Sequence, residues 1–324
     1  MPGGFGRNSH VGWGLENPWG TPVAGTKWAE LVSEKMETIR NRVPRPVVRG
    51  LNPREGNLYD ALFGAKGSFE IEANYGGMTR LLEHLFGDSS DTVTVVEGGI
   101  RWKHTYVQAP TIMSGKGLTL RVNRDVDNGS TPELVVAGFK VNSMKFTMQP
   151  DQNMRVEVEG AGKDASLAAA STPAFPAAAN YVAGHQFSCE FDDVVRKVDQ
   201  VELMIDNKLD LEKRVLGSKT IDEPIRSSER PDISGTITMD AIQADWSKLD
   251  AGTLFKLELL HTGPTLGAGT YRWDFTLLKC LVTGNPFIVE NPGVVKATVP
   301  FIALEPTSGQ IIQLDITNGE SAVA

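Results

Sequence analysis

FKVNSMKFTMQPDQNMRVEVEG, residues 139–160, is the stretch from which the fold is read. Val156 and Val158 alternate with Glu157 and Glu159, the period of two that gives a strand one dry and one wet face. Pro150 marks a turn between two such runs, so a β-hairpin is predicted. The same order of residue types returns at 196–217, RKVDQVELMIDNKLDLEKRVLG. Lys140 and Val141 align with Lys197 and Val198, and Met144, Phe146 and Met148 with Val201, Leu203 and Ile205. Gly160 meets Gly217, and a second hairpin is predicted with its turn near Asn207.

Upstream, Phe69 and Ile71 alternate with Glu70 and Glu72 in another strand. Met78, Leu81, Leu82, Leu85 and Phe86 then recur at helical spacing, with Gly87 placed to stop the helix. A second correspondence joins this strand and helix to Ile233–Met239 and a helix expected around Trp246–Leu249. The two correspondences have different offsets, so repeated supersecondary units are claimed and a duplicated domain is a hypothesis. Further strands are expected at Thr92–Val96, Trp102–Gln108, Leu118–Asn123, Phe255–His261, Tyr271–Val282 and Val294–Leu304.

The flanks read differently. Residues 1–44 show little alternation, apart from a possible helix from Lys27 to Arg40 carrying Leu31, Val32 and Met36. Arg40, Arg42, Arg45, Arg49 and Arg54 are interleaved with Pro44, Pro46 and Pro53, which forbid a continuous helix. Residues 1–54 therefore read as an arm, with Trp19 and these arginines as candidates for contact with a neighbouring molecule. The Ala/Ser/Pro-rich run from Lys163 to Asn180 has no periodic apolar face and reads as a linker. The expected organisation is arm 1–54, β domain 55–162, linker 163–184, β domain 185–306 and tail 307–324.

Composition sets the outer bounds. A chain of 324 residues with 40% hydrophobic and 22% charged residues can bury two ordinary cores, and 33 Gly with 18 Pro indicate many turns. The net charge of −8 supplies no electrostatic footprint for tight phosphate binding. Two cysteines, Cys189 and Cys280, form neither a disulfide framework nor a zinc site. No apolar run of membrane-spanning length occurs, and the first residues lack a signal-peptide core.

Catalytic raw material is sparse, so an enzyme is not expected. His10, His84, His104, His185 and His261 never fall at metal-ligand spacing, and neither a nucleophile elbow nor a P-loop is present. No cofactor is implied. What remains is charge placement: residues 185–260 carry 16 Asp/Glu against 10 Lys/Arg. Glu70, Glu72, Glu157, Glu159, Glu202 and Asp206 alternate with apolar strand residues. The ordinary wet face of a sheet explains them, and an acidic wall is the functional alternative.

VGWGLENPWGTPVAGTKWAELVSEKM (11–36) contains G-x-E-x-x-x-G-T-P from Gly14 to Pro22 and the pair Ser33–Glu34. GSFEIEANYGGMTRLLEHLFG (67–87) ends in LL-x-x-L-x-G, and Gly138–Ser143 reads G-x-x-x-N-S. In this order, with the stretch from Phe187 through DNKLDLEKRVLGS to ISGTITMD, the chain resembles the tail tube proteins of long-tailed, non-contractile bacteriophages over nearly its whole length. The resemblance implies a mainly β fold with short helices, a tail-tube-type β-sandwich or partial barrel, and the repeated units carry the hypothesis that it is duplicated within the chain. It implies a structural virion protein of the tail, assembled in the host cytoplasm into stacked rings that form a hollow tube. A tape-measure protein fills the tube, terminator and tip proteins cap it, and double-stranded DNA passes through it. In that setting Glu70, Glu72, Glu157, Glu159, Glu202 and Asp206 would line the lumen, and the arm would bridge rings.

Rings of the resembling family with one tube domain per chain are commonly hexameric, so the resemblance implies a trimeric, pseudo-hexameric ring for a chain carrying two, with a hexamer as the alternative. A carbohydrate-binding β-sandwich of a phage or bacterial surface structure is the rival reading, using Trp102, Trp246 and Trp273 as stacking platforms.

Overall fold

The computed structural model describes residues 9–44, 58–87, 91–124, 132–176, 181–226, 230–240, 252–284 and 296–321. In the first half these form β1 (His10–Glu16), β2 (Lys27–Glu34), β3 (Glu37–Pro44), β4 (Leu58–Glu72), α1 (Thr79–Phe86), β5 (Asp91–Glu97), β6 (Arg101–Val107), β7 (Gly117–Asn123), β8 (Glu133–Met148), β9 (Arg155–Gly162) and β10 (Asp164–Ala168). There follow β11 (Phe187–Phe191), β12 (Val194–Arg196), β13 (Val198–Asp206), β14 (Asp232–Asp240), β15 (Phe255–His261), β16 (Thr265–Leu266), β17 (Gly269–Thr270), β18 (Arg272–Val282), β19 (Lys296–Ala303) and β20 (Ile312–Asn318). No helix among the described residues is long and apolar enough to cross a membrane.

Antiparallel pairing in the order β1–β2–β4–β9–β8–β7 returns to β1 and closes a barrel. Closure leaves these strands no open edge along their paired lengths, and their inward pleats meet in one core. Trp13, Phe69, Ile71, Leu118, Phe139 and Val158 are all at most 1% exposed. Helix α1 buries Leu81, Leu82, Leu85 and Phe86 and packs against β8 and β6. Gly87 ends it at φ 106°, donating its N–H to the Glu83 carbonyl, a backbone state glycine adopts without a Cβ penalty.

The second half repeats this order. β13, β14, β19, β18, β15 and β11 neighbour one another as β2, β4, β9, β8, β7 and β1 do, all antiparallel. β20 lies beside β18 as β10 lies beside β8. In the second ring β11 does not pair with β13 itself among the described residues; it pairs with β12, which leads into β13 one residue later. A cleft lined by Phe187, Cys189, Val198 and Val201 lies between β11 and the start of β13.

Strand β8 joins the halves. One side of it runs along β9 and β10, while the other pairs with β7 over Glu133–Phe139 and then with β13 over Ser143–Met148. β3 hangs on the first part of β4, and the β5–β6 hairpin extends the second half through β20.

The segment read as an arm supplies β1 and β2 to the barrel, the linker run carries β10, and the tail carries β20; further expectations change as well. The possible helix from Lys27 to Arg40 is instead β2 and β3. Pairing of β2 with β1 and β4 outweighs local helix propensity, and Leu31, Val32 and Met36 do not share a dry face, since Val32 is 40% exposed and Met36 buried. The hairpin at 139–160 is present as β8–β9, but 196–217 is no hairpin, because β13 returns through β14. After Asp206, the buried Asn207 donates its amide to the Leu85 carbonyl at 2.7 Å. Leu209 N–H bonds to the Asn142 side chain at 2.8 Å, so side-chain amides draw the chain away from the sheet. The structural counterpart of β8–β9 is β18–β19, and the correspondence that topology repeats is that of β4 with β14. The helix expected around Trp246–Leu249 lies outside the described residues.

Candidate functional site

One uninterrupted surface spans both halves: the outward face of β4–β9–β8–β13–β14–β19. Residues opposite one another in neighbouring strands share a face, so the register gives its rows directly. The first is Ser68, Glu159, Ser143, Asp206 and Asp232; the second is Glu70, Glu157, Lys145, Met204, Ser234 and Ile302. The third is Glu72, Arg155, Thr147, Glu202, Thr236 and Pro300. The opposite pleat carries Ile71, Val156, Phe146, Leu203 and Phe301, all at most 1% exposed. Burial of that dry pleat fixes the register, because a one-residue slip would turn every carboxylate inward.

All the predicted acids, Glu70, Glu72, Glu157, Glu159, Glu202 and Asp206, therefore lie on one face. Glu157 and Glu159 are exposed and the others half-buried. Glu70 stands directly opposite Glu157, a like-charge pairing that costs stability. Arg155 at 3.6 Å and the Ser33 hydroxyl at 3.2 Å moderate it from the Glu70 side. Lys145 bonds Glu202 at 2.9 Å, and Lys208 bonds Asp232 at 2.7 Å with Asp206 at 3.7 Å. The hydrogen bond and charge of Asp232 hold the Lys208 ammonium above its ordinary pKa. Asn153 donates to Glu72 at 2.8 Å and Ser143 to Glu159 at 3.3 Å.

The cations of this face are thus held by carboxylates. Lys145, Arg155 and Lys208 are engaged in this way, so a polyanion would meet mainly Glu, Asp, Ser and Thr on these rows. Reading the sequence missed Lys145, Arg155 and Asp232, whose places depend on β8–β9 and β13–β14 pairing; Lys145 between buried Met144 and Phe146 was the available signal.

The arm candidates separate. Trp19 is half-buried on its own protomer, with Nε1 donating to the Gly138 carbonyl at 2.8 Å and Lys163 Nζ 5.1 Å from the ring centroid. Glu16 explains the motif around it. Its fully buried carboxylate accepts from Gly20 N–H at 2.6 Å, from Gly138 N–H at 2.9 Å and from the Thr119 hydroxyl at 2.7 Å. Gly138 sits at φ 67° to present that N–H. Arg40 is exposed, donates to the Ala165 carbonyl at 2.6 Å and lies 4.7 Å from the Phe63 ring centroid. Arg42 is exposed, whereas Arg45, Arg49 and Arg54 lie outside the described residues. Of the tryptophans proposed as sugar platforms, Trp273 is fully buried, Trp102 half-buried, and Trp246 outside the described residues.

No group of His, Cys, Asp and Glu among the described residues is arranged to hold a metal ion. The family model described as phage tail tube protein matches residues 6–303. Among curated proteins none matches the chain.

Proposed function

The chain belongs to the phage tail tube protein family, and from that premise we propose that copies of it assemble into stacked rings whose lumen is walled by the face of β4–β9–β8–β13–β14–β19. The carrying observation is that one polar, acid-rich face runs without a break across both halves of the chain. Such a wall repels duplex phosphates and lets DNA slide during ejection.

The matching strand order of the two halves favours three copies per ring, with pseudo-sixfold symmetry. The tape-measure protein would occupy the lumen before DNA, and terminator and tip proteins would close the ends. Trp19, Arg40, Arg42, Arg45, Arg49 and Arg54 remain the proposed inter-ring contacts of the segment 1–54.

Electron microscopy of the purified protein tests this. Stacked rings of three copies are expected, and six copies per ring would overturn the duplication argument.

A further inference from the structure

Beyond the polar face, strands β5–β6–β20–β18–β15–β11–β12 form a second continuous antiparallel ladder. Among the described residues, each end of this ladder is a strand paired on one side only. At one end, Thr92–Val96 of β5 are all exposed, with Val95 at 64% and Val96 at 48%. At the other, β12 exposes Val194 at 48% and Val195 at 63%. A solvent-facing edge is usually blunted by Lys or Pro, and β5, DTVTVVE, contains neither.

Although β5 leaves side chains on both its faces in solvent, its ends are fastened. Asp91 accepts from the buried His104 ring at 3.1 Å. Glu97 bonds Arg101 at 3.1 Å and accepts from Ala268 N–H at 3.0 Å. An edge held this way loses little further conformational freedom on pairing.

We propose that the open edge of β5 docks on a second copy of this chain, against that copy's β12 edge. Two observations select this occupant. The pairing of β6 with β20 is already the junction of the first half with the second, so β5 continues that junction outward. Opposite ends of one sheet also make a head-to-tail contact, which propagates into rings or filaments, whereas β5 against β5 would stop at a dimer. The inference rests on the self-assembly proposed above and names one of its contacts.

Cysteine cross-linking tests it in the full chain. The native Cys189 and Cys280 are at most 2% exposed, so they do not compete on mild oxidation. The double variant Val95→Cys/Val195→Cys is expected to give a covalent ladder extending beyond the dimer once assembled, with neither single variant cross-linking. Cross-linked dimers from Val95→Cys alone would overturn the proposal in favour of β5 against β5. Tubes that form without any cross-link would also overturn it while leaving self-assembly standing. A chain that stays monomeric at every concentration would remove the self-assembly reading itself. A second variant, Val95→Lys, should raise the concentration needed for assembly by about tenfold or more with an unchanged circular dichroism spectrum; unchanged assembly would count against the contact.

Discussion

Replacing Phe146 by Ala removes the side chain through which β8 couples the two halves. Phe146 is fully buried, and its ring centroid lies 5.2 Å from Phe275 and 6.5 Å from Trp273 of the second half. Across the sheet it faces Val156 on β9 and Leu203 on β13. Truncating a buried Phe to Ala costs about 3–5 kcal/mol, the transfer loss plus an unfilled cavity. With a urea m-value of about 3 kcal/mol per M, the midpoint should fall by about 1–1.7 M.

The assay labels tryptophans with fluorine. Trp13 reports the first barrel and Trp273 the second half, and both are fully buried. If the shared strand makes one cooperative unit, both resonances lose intensity at the same, lowered midpoint. A shift at Trp273 with Trp13 unmoved would refute the coupling. The milder Phe146→Leu should move both in the same direction by a smaller amount, which guards against a variant too unstable to purify.

Two further outcomes follow from named contacts. Both ring nitrogens of His104, fully buried, face acceptors, Asp91 at 3.1 Å and the Glu320 carbonyl at 2.9 Å. Burial alone lowers its pKa, but the bonds to Asp91 and Glu320 outweigh this and the net shift is upward. Its stabilising contribution is therefore complete below the unfolded value of about 6.5 and is lost as pH rises through the folded value, at no more than about 1.4 kcal/mol per pH unit. The stability penalty of His104→Gln in urea titrations should be larger at pH 6 than at pH 9, and a penalty that grows with pH would contradict the ion pair. For the polar face, Glu157→Lys/Glu159→Lys should leave assembly intact and create duplex-DNA binding. That affinity should fall with salt at a log–log slope of about 0.9 per added phosphate contact, and binding indifferent to salt would argue that this face does not meet DNA.

The period-two runs made strands such as Arg155–Gly162 and Phe255–His261 legible before any pairing was known, because alternation records which pleat is dry. The helix ending at Gly87 was equally plain, since five apolar residues at helical spacing meet a residue suited to a positive φ. The same alternation marked Glu70, Glu72, Glu157, Glu159, Glu202 and Asp206 as outward-facing. It could not say that they share one surface, which depends on β8 pairing with β9 on one side and β13 on the other.

Local pattern misled where partners far along the chain decide the outcome. Residues Lys27–Glu34 become a strand because β1 and β4 supply hydrogen bonds on both sides, and DLEKRVLG leaves the sheet because Asn142 and Asn207 divert the backbone. Residue order by itself determined that this is a β-rich chain with acids on wet pleats, because burial periodicity is a local property. Only the tertiary structure decided that β4 answers to β14 and that one acid-rich face crosses both halves, because register is set by long-range pairing that no short window contains.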